Sequence, residues 1–300
     1  MQRRDARSAR GVPEGCTVLG IDAAWTVTQP SGVALVEVVD GRWSCRALAP
    51  SYAQFIGLAR GIPVDWSGTP RGSTPAVADL VRAAEQLSLR RQPVHLVAID
   101  MPLSLTALTG RRAADRAVTS QFARRYCGTH SPTLDRPGEW GATLTRSFVA
   151  AGYPLATRAA DLDGGRHLLE VYPHPALLAL LNVPLRFEYK TSRSGRFWPE
   201  ASVAERVRRL LEAFRTIEVA LRQRLGPTSL PLPKSTPGIT LSGLKRYEDA
   251  LDALVCCWIG TECLARRFVP YGDATGAIWC PPESALPPPV GRGAAATAGA

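Results

Sequence analysis

The stretch TVLGIDAAWTVTQPSGVALVEVVDGRWSCRALAP, residues 17–50, decides the fold. It holds three short runs of β type, at 17–25, 32–40 and 42–50, and an Asp-Gly pair joins the second run to the third. An Asp-Gly pair between two such runs is a strong signal for a tight hairpin turn. We therefore expect an antiparallel meander of three strands at the start of the domain.

Helices and further strands are predicted after this meander. A Ser/Thr-Pro start and helical spacing predict a helix over 73–91, and the apolar run 94–102 is typical of a strand buried on both faces. The run 167–175 predicts another strand, and amphipathic spacing predicts helices over 201–225 and 248–260. The expected fold class is α/β, with three antiparallel strands followed by parallel strands and with helices on both faces of the sheet.

The length allows one large domain or two small ones, and the pattern along the chain favours one domain with irregular ends. The chain has 300 residues, of which 45% are hydrophobic, enough for a sizeable core. We expect a flexible basic N-terminus over 1–15, a single domain over 16–282 with insertions around 103–165 and 184–240, and a disordered tail over 283–300. Because we find no run of about 20 apolar residues and no signal-peptide centre, we expect no membrane contact and a cytoplasmic location.

The charge balance favours an anionic partner. The formal net charge is +10, and the isoelectric point of about 9.7 comes almost wholly from arginine. Such a balance favours nucleic acid above other partners. The seven cysteines include no Cys-x-x-Cys pair and several stand in apolar runs, so we expect buried thiols rather than disulfides or a zinc site.

Carboxylates stand where the strand patterns predict apolar side chains. Asp22 ends the first run, Asp100 follows the run LVAI, and Glu170 lies inside HLLEVYP. An ionised carboxylate in such a place is costly unless a cation or hydrogen bonds compensate it. A cap beyond the strand explains one such acid, but for three we expect convergence on a shared cation. Oxygen-rich sites of this kind suit Mg²⁺ or Mn²⁺.

More acids open the late apolar helix EDALDALVCCWIG, residues 248–260. On a helical wheel Asp252 borders the apolar stripe, whereas Glu248 and Asp249 are expected in the first turn, where acids also favour the helix dipole. The dipole explains Asp252 poorly, because buried positions flank it. We therefore expect Asp249 and Asp252 to meet the acids of the strands.

Basic residues supply candidate contacts to substrate. The segment RFEYKTSRSGRFW, residues 186–198, interleaves basic and aromatic side chains, as nucleic-acid grooves do. Its candidates for phosphate contact are Arg186, Lys190, Arg193 and Arg196. Arg112 and Arg116 are candidates too, with a solvated face paired to Asp115 as the alternative. His174, in the turn YPHP, is a candidate for a proton relay to substrate or for a structural role.

Several motifs stand out as a set: GIDAAW, SGVAL, VAIDMPL, EVYPHP, a YK pair with following arginines, EDALDALVCCWIG and GAIWCP. Together they resemble the domain of unknown function 429 family, described as predicted nucleases of RNase H-like fold. In the wider RNase H-like superfamily, an Asp on the first strand, an acid at the fourth and an Asp-x-x-Asp-Ala pair on a late helix hold two metal ions. The resemblance implies that Asp22, Asp100, Asp249 and Asp252 are these ligands here.

The resemblance implies a metal-dependent nuclease that hydrolyses phosphodiester bonds of nucleic acid by a two-metal-ion mechanism. The catalytic residues would then be Asp22, Asp100, Glu170, Asp249, Asp252 and Lys190. Lys190 or a nearby arginine would neutralise developing charge. Two alternatives stay open: an ATP-dependent phosphotransferase of the actin and sugar-kinase superfamily, which usually needs two such domains and Gly-rich phosphate loops, and a non-catalytic nucleic-acid-binding module.

Overall fold

The computed structural model describes residues 8–288, in which seven strands form one mixed sheet with the order β3-β2-β1-β4-β5-β7-β6. The strands are β1 (Thr17–Asp22), β2 (Gly32–Val39), β3 (Arg42–Ala49), β4 (Leu96–Ile99), β5 (His167–Val171), β6 (Val269–Asp273) and β7 (Gly276–Cys280). The expected mixed α/β fold is thereby confirmed. Parts of the expected flexible N-terminus and disordered tail, residues 1–7 and 289–300, lie outside the described residues.

The meander and the parallel strands lie as predicted. β2 pairs antiparallel with both β1 and β3, whereas β4 runs parallel to β1 and β5 runs parallel to β4. Asp40 and Gly41 have φ values of 52° and 67°, the left-handed pair that a primed two-residue hairpin turn requires. β7 extends the parallel part beside β5, and β6 closes that edge as an antiparallel neighbour of β7.

Helices cover both faces of the sheet. They are α1 (Tyr52–Leu58), α2 (Val77–Leu87), α3 (Ala113–Phe122), α4 (Gly138–Ala150), α5 (Pro173–Leu181), α6 (Ser194–Phe197), α7 (Val203–Leu225) and α8 (Leu241–Leu264). One core joins α5, α7 and α8 to one face, and a second core joins α1, α2 and α4 to the other. Within residues 8–288, no helix combines the length and the apolar character that crossing a membrane requires.

The late acidic helix starts earlier than predicted. The Thr240 side chain caps α8 by accepting from the Gly243 amide at 3.0 Å. Glu248 and Asp249 therefore lie about two turns inside the helix, and the expectation that they stand in its first turn is wrong. The helix dipole, which acts within the first turn, does not account for these acids.

Two glycines let α8 rest directly on the sheet. A Cβ on Gly20 would lie 2.3 Å from the carbonyl oxygen of Ala253, and one on Gly32 would lie 2.0 Å from that of Asp249. Real Cβ atoms do not approach backbone oxygens this closely, so glycine is required at both strand positions. Since Gly32 pairs with Asp22 in the sheet, this close approach brings the acids of α8 to the end of β1.

Replacing Gly32 by Ala is expected to destabilise the fold by about 1–3 kcal/mol, as overpacking of a tight core does. The matched control is Gly57→Ala in α1, where the new Cβ would meet Ile62 at an ordinary 3.6 Å. Ala in a helix is favoured over Gly by about 0.5–1 kcal/mol, so this variant should gain stability. Urea denaturation measures both effects, and equal shifts in the two variants would contradict the close packing of α8.

Candidate functional site

Asp22 and Asp100 stand side by side at the carboxyl ends of two neighbouring parallel strands. Ile21 of β1 pairs with Ile99 of β4, and the Asp100 amide donates to the Ile21 carbonyl at 2.9 Å. Because side chains alternate along a strand, Asp22 points to the same face as Gly20, which is the face that carries α8. Burial, and next the charge of Asp22, raise the pKa of Asp100 well above its ordinary value.

Neither of these two carboxylates is neutralised by a direct partner. Within residues 8–288, the side chains of Asp22 and Asp100 make no hydrogen bond and no salt bridge. Both line a cleft of about 510 Å³, which we call the acid cleft. Its wall also includes Asp249, Lys245 and Arg136, together with the loop 23–30. The acid cleft therefore opens onto carboxylates that are available to a ligand.

Asp252 and Glu248 of α8 bind a lysine behind this cleft. The fully buried Asp252 accepts from the Tyr189 hydroxyl at 2.7 Å and from Lys190 Nζ. Glu248 accepts from the Thr191 amide at 2.7 Å and lies 3.6 Å from Lys190 Nζ. Burial alone would lower the pKa of Lys190, but these carboxylates outweigh it and hold that pKa well above the ordinary value. Lys190 is therefore a fixed positive charge.

One carboxylate oxygen of Asp249 has no partner among the described residues. Lys245 Nζ binds its Oδ1, whereas its Oδ2 is buried and has no hydrogen-bond partner among the described residues. Burial raises the pKa of Asp249 well above its usual value, although Lys245 offsets part of the effect. Because the Lys245 side chain is 44% exposed, it can leave Asp249 without burying an unpaired ammonium group.

The acids around the cleft outnumber the cations. Three cations, Lys190, Lys245 and Arg136, stand against five carboxylates; the carboxylates belong to Asp22, Asp100, Glu248, Asp249 and Asp252. In their present conformations, no three His, Cys, Asp or Glu side chains of residues 8–288 form a group that could hold a metal ion. The lysines occupy Asp249 and Asp252, so the unpaired oxygens are those of Asp22, Asp100 and Asp249.

Glu170 belongs to a different cluster. It lies level with Ile99 in the sheet, so it points to the opposite face from Asp100. Arg112 binds both Glu170 oxygens at 2.5 and 2.6 Å, and it also binds Asp115 at 2.9 Å. The Leu103 amide donates to Glu170 at 2.8 Å. These partners leave Arg112 little capacity for phosphate, and the predicted roles of Arg112 in substrate binding and Glu170 in catalysis stay predictions.

The remaining basic candidates fall into two places. Arg116 is exposed on α3 and donates to the Arg111 carbonyl at 2.9 Å. A separate pocket of about 460 Å³, here called the arginine pocket, collects the others, and its wall includes Arg186, Arg193, Arg196, Glu188, Tyr126 and Phe197. His174 is buried behind it and accepts from Arg186 at 2.5 Å. Burial, and next Arg186, hold the pKa of His174 well below its ordinary value.

Sequence reasoning did not assign Tyr189 or Lys245 to the site. Lys245 precedes Glu248 by three residues and Asp249 by four, a helical spacing that brings opposite charges together. That spacing could have identified Lys245. No such spacing identifies Tyr189. It lies outside the helices and strands, so the sequence gives no indication of which carboxylate its hydroxyl reaches.

The structure defines a mixed α/β protein with unpaired acids at the ends of β1 and β4. The family described as Protein of unknown function (DUF429) matches residues 20–275, and the chain belongs to this family. The family part of the predicted resemblance is thus confirmed. No curated protein and no solved structure matches the chain.

Proposed function

We propose that this chain is an RNase H-like, metal-dependent nuclease. Two features support the proposal: a three-stranded antiparallel meander followed by two parallel strands in the order β3-β2-β1-β4-β5, and acids at the ends of β1 and β4. The main supporting observation is that Asp22 and Asp100 line one cleft and have no hydrogen-bonding or ion-pairing partner in residues 8–288. Both residues are half-buried, and a cation relieves the cost of holding unpaired carboxylates partly out of water.

Mg²⁺ or Mn²⁺ matches the chemistry of the unpaired oxygens, and the three side chains would have to converge from their present positions to hold an ion. Asp22, Asp100 and Oδ2 of Asp249 supply oxygen, the element that these hard ions prefer. Bound divalent ions would activate a water molecule and stabilise the leaving oxygen of a phosphodiester. In its predicted ligand role, Asp252 would share its oxygens with Tyr189 and Lys190, since each oxygen already accepts one hydrogen bond.

The protein's own groups hold a positive charge beside the acids. Asp252 and Glu248 fix Lys190 in place, and their charges keep it protonated. Once bound metal ions neutralise the excess carboxylates, this ammonium group would stabilise negative charge that develops on a phosphate. The net charge of +10 acts in the same direction over a longer range.

Saturating Mn²⁺ is expected to raise the melting temperature. An ion that binds only the native state stabilises it by about 2.7 kcal/mol at a hundred times its dissociation constant. Differential scanning fluorimetry with and without Mn²⁺ measures this shift, and calorimetric titration measures the affinity. An unchanged melting temperature at saturating Mn²⁺ would contradict the proposed metal site.

The activity itself is tested with a panel of labelled DNA and RNA substrates, single-stranded and paired, in Mn²⁺ and in EDTA. We expect hydrolysis in Mn²⁺ alone. An ATP hydrolysis assay run in parallel tests the phosphotransferase alternative. Binding of nucleic acid without hydrolysis of any substrate would instead support a non-catalytic binding module.

A further inference from the structure

Two buried polar atoms lack partners, one on a residue that lines the arginine pocket and one on a residue behind it. Nε of Arg186 and Nδ1 of His174 are buried without a hydrogen-bond partner among the described residues. Arginine only donates, so Nε2 of His174 accepts from Arg186 and the neutral ring carries its proton on Nδ1. Both unpartnered atoms are therefore donors. Buried donors are normally satisfied, and the free donor of Arg186 in the wall of the pocket favours an anionic ligand there.

The pocket also presents aromatic faces beside its positive charge. Tyr126 is 69% exposed and has φ of 60°, an uncommon conformation for a bulky residue. Such outliers concentrate at functional sites. Tyr126 and Phe197 line the same wall as the three arginines, whereas Glu188 supplies the opposing charge. Aromatic rings next to guanidinium groups are the usual combination for binding an unstacked base and its phosphate.

Shared residues connect the arginine pocket to the acid cleft. Arg193 of the pocket donates to Nε2 of His130 at 3.0 Å. His130 and Asp100 line one narrow cavity of about 40 Å³, and Asp100 also lines the acid cleft. Contacts through Arg193, His130 and Asp100 therefore link the wall of the arginine pocket to that of the acid cleft.

We propose that the arginine pocket binds one nucleotide of a single nucleic-acid strand, with its phosphate on the arginines and its base against Tyr126 and Phe197. This inference rests on the proposed function and names its substrate class as single-stranded. Bases inside a duplex are stacked on each other and cannot lie against protein rings, whereas those of a single strand can.

Binding is measured in EDTA, so that hydrolysis does not enter. Fluorescence polarisation compares a labelled single-stranded oligonucleotide with the duplex of the same sequence across a salt series. We expect at least about tenfold tighter binding of the single strand. Arg193→Ala/Arg196→Ala should weaken that binding about tenfold or more, and it should lower the salt slope by about 1.4, the value for two contacts to a single strand.

Tyr126→Gly tests the base contact separately. Glycine accepts the left-handed backbone, so the variant should fold, lose about fivefold to a hundredfold in affinity, and keep the salt slope. The matched control is Arg82→Ala/Arg222→Ala, which removes two exposed, paired arginines outside the pocket and should bind as the wild type does. Melting curves verify the fold of each variant.

Three outcomes would overturn the inference: equal or tighter binding of the duplex, pocket variants that bind like the control, or a Tyr126→Gly variant of unchanged affinity. Selective binding of the single strand with no hydrolysis in Mn²⁺ would refute the proposed nuclease activity but support the nucleotide pocket. Hydrolysis by a protein that prefers duplex would support the nuclease activity but refute the nucleotide pocket. The two proposals can therefore fail independently.

Discussion

Replacing Asp22 by Asn is expected to reduce phosphodiester hydrolysis by at least about 100-fold at saturating Mn²⁺, because the metal contribution is worth several kcal/mol. The amide keeps the size of the side chain and removes the charge that would hold the ion. Folding should be retained, since Asp22 makes no hydrogen bond or salt bridge within the described residues. Initial rates and melting temperatures measure the two effects.

The control is Asp79→Asn on α2, which removes an exposed carboxylate whose partner is Arg82 at 3.1 Å. Its hydrolysis rate should equal that of the wild type. Loss of folding in Asp22→Asn would show that Asp22 is structural, and an unchanged rate would show that it does not take part in the chemistry.

Asp22→Asn should also change how stability depends on pH in EDTA. Burial and the charge of Asp22 raise the pKa of Asp100. The native state therefore binds a proton more readily than the unfolded state, and stability falls as pH rises through that raised pKa. Removing the Asp22 charge lowers the pKa of Asp100, so the variant should gain stability over the wild type as pH increases. Urea denaturation at several pH values measures this difference.

The part of the fold that the sequence predicts best has strong local signals. The meander follows from three short runs of β type and one Asp-Gly turn, and both appear in the structure. The hairpin of β6 and β7 was not predicted, because its two-residue loop is Ala274 and Thr275 rather than a glycine-containing pair. Helix α4 was missed for a related reason, since Gly/Pro-rich sequence surrounds it.

A strand pattern in the sequence predicts the positions of some acids of the site and not of others. Asp22 and Asp100 end their strands, and the carboxyl ends of neighbouring parallel strands meet at one edge, so their proximity follows from the topology. Glu170 was expected to join them because apolar residues flank it in the sequence. Which face of the sheet it points to depends on the register of β5 against β4, and no residue in the sequence specifies that register.

The sequence also could not predict which acids are paired with a cation. The acids were expected to need a cation, but the sequence does not say which buried acids already have one. Arg112 is 58 residues from Glu170, and Lys190 is 62 residues from Asp252. Long-range ion pairs of this kind depend on the packed structure, whereas the pairing of Lys245 with Asp249 is local to one helix.

The second large effect is expected for Arg112→Ala, which should lower the free energy of unfolding by about 3–5 kcal/mol, as the loss of one partner of a buried ion pair does. Glu170 and Asp115 are only 3% and 1% exposed, so the substitution leaves two buried carboxylates without their guanidinium. Arg116→Ala on the same helix is the control. Arg116 is exposed, and its loss should change stability by no more than about 0.5 kcal/mol.

Two measurements separate this role from the substrate contact that the sequence suggested for Arg112. Adding Glu170→Gln to Arg112→Ala should restore part of the lost stability, because it removes one unpaired charge. Burial already raises the pKa of Glu170, with Arg112 opposing it, so without Arg112 that pKa rises further. The destabilisation should then shrink as pH falls and Glu170 binds a proton. A variant of normal stability that binds nucleic acid weakly would instead assign Arg112 to the substrate, because a guanidinium that only neutralises buried acids cannot be lost without cost to the fold.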